Sequence, residues 1–258
     1  GTVVLTGAST YTGNTDIAAG ATLALGAGGT TGSLAAGNTV SIGSGATLRV
    51  NRSDSVTLSG ALSGLGTLDQ AGGGTTLLTA TNSHGATSVN AGVLQVGNGA
   101  TAGTLGSGAI TIAGGATLRV DRSDTVTLSN TFSGSGTLDQ HGSGTLVLSG
   151  DSDPGFSGAV DITGGTLRIS GAAATAGSGG SIVLGNRTLD IANGATVANT
   201  VTVSDGATIT SSTGGGTLGA GGTLNLGAGV GLTLSSAGGG ALNVARVISD
   251  SNDDGALA

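Results

Sequence analysis

The chain has 258 residues, 55 of them Gly and one Pro, with a formal net charge of −7 and no Cys. A triple helix needs Gly at every third position with abundant Pro, and a disordered chain lacks a 37% hydrophobic content, so collagen and Gly-rich disorder are both excluded. All seven cations are Arg and all 14 acids are Asp; this balance argues against nucleic-acid binding and a basic membrane patch, and the lack of Cys removes disulfides and thiolate metal sites.

Read in chain order, the apolar residues alternate with polar ones at period two. Ala46–Val50, Ser55–Ser59, Ala109–Ile112, Thr125–Leu128, Gly165–Ile169, Thr200–Val203 and Gly206–Ile209 all follow this pattern. Each predicts a short strand with one buried face. Gly, Asn, Asp and Ser separate the runs, which is turn chemistry, and Gly interrupts every window that could be helical. No window reaches the ~18 consecutive apolar residues of a membrane helix.

Residues 45–72 recur at 115–142, an offset of 70 with 21 of 28 positions identical. A duplication of that size predicts a stack of similar units. With only three aromatics, Tyr11, Phe132 and Phe156, the core must be many thin aliphatic layers. The expected fold is all-β: a right-handed parallel β-helix (β-solenoid) of about eleven coils. At roughly 20–25 residues per coil, by analogy with other solenoid periods, the repeat of 70 covers about three coils. Residues 1–258 read as one continuous segment, with repeats near 1–73, 74–143 and 144–258. The chain starts at Gly1 without Met, which is read as a piece of a longer secreted chain.

Gly1-Thr2-Val3-Val4-Leu5-Thr6-Gly7 leads into Thr10-Tyr11-Thr12-Gly13-Asn14-Thr15 and on to Leu25-Gly26. A second copy starts Gly74-Thr75-Thr76-Leu77-Leu78 and ends Gly92-Val93-Leu94-Gln95-Val96, with Ser83-His84-Gly85 where the first has its aromatic. A third starts Gly144-Thr145-Leu146-Val147-Leu148, passes Phe156-Ser157-Gly158 and ends Gly165-Thr166-Leu167-Arg168-Ile169. These segments resemble the passenger-associated transport repeat of bacterial autotransporters. The resemblance implies a passenger β-helix, displayed at the bacterial cell surface and exported through the outer membrane by a C-terminal barrel absent from this sequence. The expected function is a structural or adhesive rod whose partner is itself or a host or surface ligand. Two alternatives stay open: the scaffold of a polysaccharide-acting enzyme, and a passive stalk for a domain elsewhere.

Candidate sites are few. Arg52 with Asp54 and Arg122 with Asp124 recur at equivalent positions, either as interaction residues or as local ion pairs at a coil corner. Asp250, Asn252 and Asp254 resemble the first half of a calcium loop, although Asp and Asn are turn residues in any case. Asp69-Gln70 and Asp139-Gln140 end matching strands and are expected to satisfy turn amides. His84 and His141 fall at different points of the repeat, against shared metal ligation. No hydrolase elbow, P-loop or acid pair with an aromatic subsite is present, so no catalytic residue and no organic cofactor is expected.

Overall fold

The computed structural model describes residues 1–152, 155–173, 175–177 and 179–250. The described residues form strands and turns with no helix, and every strand pair described here is parallel. The protein is a β-solenoid of about eleven coils, with two compact units: residues 1–123 with 130–138, and residues 124–129 with those from 139 onward.

Unit 1 has three faces, visited in turn. The first face stacks Thr2–Leu5, Thr22–Leu25, Thr47–Val50, Thr67–Gln70, Thr87–Val89, Ile110–Ile112 and Phe132–Gly134. The second stacks Val56–Leu58, Thr75–Leu78, Val93–Val96 and Thr117–Val120. The third stacks Thr15–Ile17, Val40–Ile42 and Leu62–Gly64. Unit 2 repeats the plan. Its leading sheet holds Ala159–Ile162, Ser181–Leu184, Thr200–Val203, Leu224–Leu226 and Ile248–Asp250. Its middle sheet runs from Thr125–Leu128 through Thr145–Leu148, Thr166–Ser170, Thr188–Ala192 and Ala207–Ser211 to Leu232–Ser236. Its trailing sheet holds Thr196–Val197, Gly216–Leu218 and Leu242–Val244.

Alternation puts aliphatics inside, and parallel register stacks like on like. Leu48 lies between Leu23 and Leu68, and Leu118 pairs with Leu94; Leu48 and Leu118 have no exposed surface. Each buried Leu contributes about 1.5–3 kcal/mol of burial. The neighbouring Thr47 and Thr117 are only partly buried. Coil length varies: Thr75 pairs with Val93 eighteen residues on, and Thr22 with Thr47 twenty-five residues on.

The variation comes from loops that stand in for strands. Between Leu5 and Thr15, and again between Leu25 and Val40, the chain passes from the first face to the third without a second-face strand. The two loops stack, with Ser9 N–H donating to Ser33 O at 2.9 Å. One repeat later, loops 79–86 and 97–109 replace third-face strands and stack through Thr104 N–H to Ala80 O at 3.0 Å. In unit 2, among the described residues, no trailing-sheet strand lies between Thr145–Leu148 and Ala159–Ile162 or between Thr166–Ser170 and Ser181–Leu184, and the two connections stack through Thr175 N–H to Gly150 O at 3.3 Å. Each repeat therefore contributes one two-coil loop pair.

The duplicated segment is out of phase with the coil. Thr47–Val50 is a first-face strand, but its copy Thr117–Val120 is a second-face strand. Val40–Ile42 and Leu62–Gly64 are third-face strands, whereas their copies Ile110–Ile112 and Phe132–Gly134 lie on the first face. The 70-residue unit is thus three coils and one further face, not three coils. Whole-coil register is unnecessary because all three interiors accept the same alternating aliphatics.

Candidate functional site

Arg52 follows a first-face strand and turns inward at the corner, 9% exposed. Its Nε and Nη2 donate to the two carboxylate oxygens of Asp54 at 2.9 and 2.7 Å, a bidentate pair. Its Nη1 donates to Gly32 O, one coil back, at 2.8 Å. Gly32 has φ +95°, and a Cβ there would sit 2.1 Å from Leu5 O, so only Gly fits. The corner is a clamp: the guanidinium pins loop 26–33 onto the next coil, aided by Gly28 N–H to Asn51 O at 2.8 Å. The Arg52 guanidinium holds the exposed Asp54 carboxyl below its ordinary pKa.

The second copy rebuilds the clamp one face away. Arg122, also buried, donates Nη1 to Gly103 O, and Gly99 N–H donates to Asp121 O at 2.8 Å. Because the repeat advances one face, Arg52 and Arg122 stand on different corners and form no stripe. Of the calcium candidates, Asn252 and Asp254 lie outside the described residues, and Asp250 ends the strand Ile248–Asp250. Among the described residues no group of three metal-ligating side chains converges.

Gln70 and Gln140 do the opposite of what their position suggests. Both are 1% exposed, and their amides donate to turn carbonyls rather than accept from turn amides. Gln70 Nε2 reaches Gly72 O at 2.7 Å and Gly74 O at 3.2 Å; Gln140 Nε2 reaches Gly142 O at 2.9 Å and Gly144 O at 3.2 Å. Gln70 Oε1 accepts from buried Thr76 Oγ1 at 2.5 Å, but the copy has Leu146 there and Gln140 Oε1 has no partner.

His84 and Phe156, at matching points of the second and third repeats, are both buried, whereas Tyr11 in the first is 43% exposed. His84 Nε2 lies 3.0 Å from Thr87 Oγ1 and Nδ1 has no partner, so burial pushes its pKa down to about 4. His141 instead sits outside, 3.2 Å from Thr163 Oγ1, and that hydroxyl reaches Asp139 Oδ1 at 2.6 Å. The two imidazoles do different work and share no site.

Sequence reasoning missed the corner asparagines. Asn130 Nδ2 donates to Gly106 O and Gly108 O at 3.0 and 2.6 Å, and Asn199 Nδ2 to Gly177 O and Gly180 O at 2.9 and 3.0 Å. The signal was the recurring Asn-Thr-apolar step of Asn38-Thr39-Val40, Asn130-Thr131-Phe132 and Asn199-Thr200-Val201. Also missed were Arg–Asp rungs between successive coils: Arg49 to Asp69 at 3.6 Å, and Arg168 to Asp190 at 2.6 Å. Asp190, 2% exposed, accepts further hydrogen bonds from Ser212 N–H at 2.9 Å and Ser212 Oγ at 2.6 Å.

Residues 1–25, 68–96 and 138–169, together a third of the chain, match the model of the family described as the passenger-associated-transport-repeat. Each matched segment contains the first loop of one loop pair. No curated protein and no solved structure matches the chain.

Proposed function

From a chain that carries the passenger-associated-transport-repeat three times on a β-solenoid, we propose a structural and adhesive role at the surface of a bacterium, as part of an autotransporter passenger exported through the outer membrane. The three repeats carry this reading. On it, the solenoid associates with itself or with a surface ligand through its outer walls. The middle sheet of unit 2 supports such contact, because Thr125, Thr145, Thr166, Thr188, Thr208 and Thr233 follow one another in strict register. Such a hydroxyl ladder repeats at ~4.8 Å and offers many weak hydrogen bonds to a matching repeat. At the Arg52 corner the exposed group is the Asp54 carboxylate; Arg52 is occupied by its own chain.

Sedimentation velocity across concentration tests the self-association reading. Concentration-dependent growth of the sedimenting species, reduced when Thr166, Thr188 and Thr208 are replaced by Asp, is the expected result. A strictly monomeric species at the highest concentration would assign this segment the role of a passive stalk.

A further inference from the structure

A groove of about 690 Å³ runs along the outside of unit 2 where the leading sheet turns into the middle sheet. Its floor carries Asp161 and Val183, which are register partners on adjacent strands. Asn186, Arg187 and Asp205 form an exposed rim, and Thr163 closes one end. Gly185, which lines the groove, has nothing within 4 Å of an added Cβ and no strained φ.

Asp161 is half-buried, and no described residue donates a hydrogen bond to its carboxylate. Desolvation and nearby Asp139 raise its pKa. Arg187 is already tied at Nε to Thr163 O at 3.1 Å and at Nη1 to Asn186 O at 2.7 Å, which fixes its guanidinium beside the hollow. In an open groove that carboxylate is hydrated, and the hydroxyl groups of a ligand take the place of this water.

We propose that this groove is a saccharide-binding site that takes a short stretch of a neutral or amino-bearing surface glycan. Asp161 and Asp205 accept from sugar hydroxyl or ammonium groups, Arg187 and Asn186 donate to ring and hydroxyl oxygens, and Val183 gives an apolar spot for a sugar's C–H face. The volume falls within the ~300–1,000 Å³ range of small-ligand sites. Two carboxylates against one guanidinium disfavour acidic sugars and phosphates. A metal is the poorer fit, since no three ligating side chains converge among the described residues.

The test is an array of immobilised neutral hexoses, N-acetylhexosamines, aminohexoses and uronic acids, probed with the 258-residue chain and three variants. Gly185→Leu fills the hollow from a position that accepts a side chain, Asp161→Ala removes the acceptor, and Arg187→Ala removes the rim donor. The expected result is retention on neutral or amino sugars and none on uronic acids. Gly185→Leu and Asp161→Ala should lower that signal at least tenfold, with circular dichroism and melting unchanged. The proposal is overturned if no sugar is retained, or if all three variants bind as the parent does. It also fails if Gly185→Leu alters only the sedimentation of the chain, for the groove is then a contact between copies.

Discussion

Replacing Gln70 and Gln140 by Leu separates two sites that the sequence presents as equals. Gln70→Leu deprives two buried groups of their partner: Gly72 O, and the Thr76 hydroxyl that donates to Gln70 Oε1. Gly74 O keeps a second donor in Val93 N–H at 3.0 Å. Each buried group left unsatisfied costs about 1–3 kcal/mol, and the added apolar contact returns about 1 kcal/mol, so the net loss for the two groups is about 1–5 kcal/mol. Gln140→Leu orphans Gly142 O but removes an oxygen that had no partner, because Leu146 stands where Thr76 did. Gly144 O keeps Thr166 N–H at 3.0 Å. One orphan replaces another, so the net change there is within about 1 kcal/mol of zero. Equilibrium urea unfolding followed by circular dichroism compares the two. Solenoids open in sections, so exchange of amides near each corner should be read beside the global curve. Thr76→Leu in the Gln70→Leu background should recover about 1 kcal/mol or more by removing the orphaned hydroxyl. Equal losses at the two positions, within about 0.5 kcal/mol, would refute the reasoning.

Leu118→Ala should cost about 2–5 kcal/mol as a core cavity, and Thr117→Ala under about 1 kcal/mol, in the same unfolding assay; equal effects would mean the faces are reversed. Arg52→Ala should lose about 1–3 kcal/mol through the Gly32 carbonyl it abandons, and Arg52→Lys should recover only part of this because a single ammonium cannot reproduce the fork; proteolysis of loop 26–33 would report the loosening. His84 carries a pH prediction. Its folded pKa of about 4 lies below the ordinary 6.5, so the fold holds it neutral while the unfolded chain takes up a proton. Its share of stability is complete above pH 6.5, falls as pH drops, and is lost below about pH 4, a total of a few kcal/mol. His84→Phe, which copies Phe156, should flatten that part of the pH profile of the urea midpoint; an unchanged profile would assign the acid sensitivity to the Asp residues.

The strands and their inward residues were legible because period-two alternation is a local signal and nearly every run expresses it. The loop pairs were legible only as three similar segments. That each sits on a new face depends on the number of residues per coil, and coils here vary from eighteen to twenty-six residues with no mark in the sequence. Gln70 was misjudged because an amide can serve a turn as donor or acceptor, and only the placement of Gly72 and Gly74 decides. Arg52 was read as one of two things, a local pair or an interaction residue. Its bond to Gly32 O, twenty residues away, is the contact that local spacing could not reveal. The groove at Asp161 gave no sign at all, since Asp161, Val183 and Asp205 come from three successive coils that only the strand register brings together.

The one-face advance of the 70-residue unit bears on how such a chain can change length. Unequal exchange between two copies would insert or delete a unit whose ends fall on different sides of the coil, so every later strand would move to a new side. The protein survives such a shift only if the sides are interchangeable. That requirement forbids any one side from adopting bulky interior residues suited to itself alone. It accounts for a core of Leu, Val and Ile with almost no aromatic rings. What the molecule gives up in tailored packing it recovers as freedom to lengthen, and any outward feature copied along with the unit is turned toward a fresh direction.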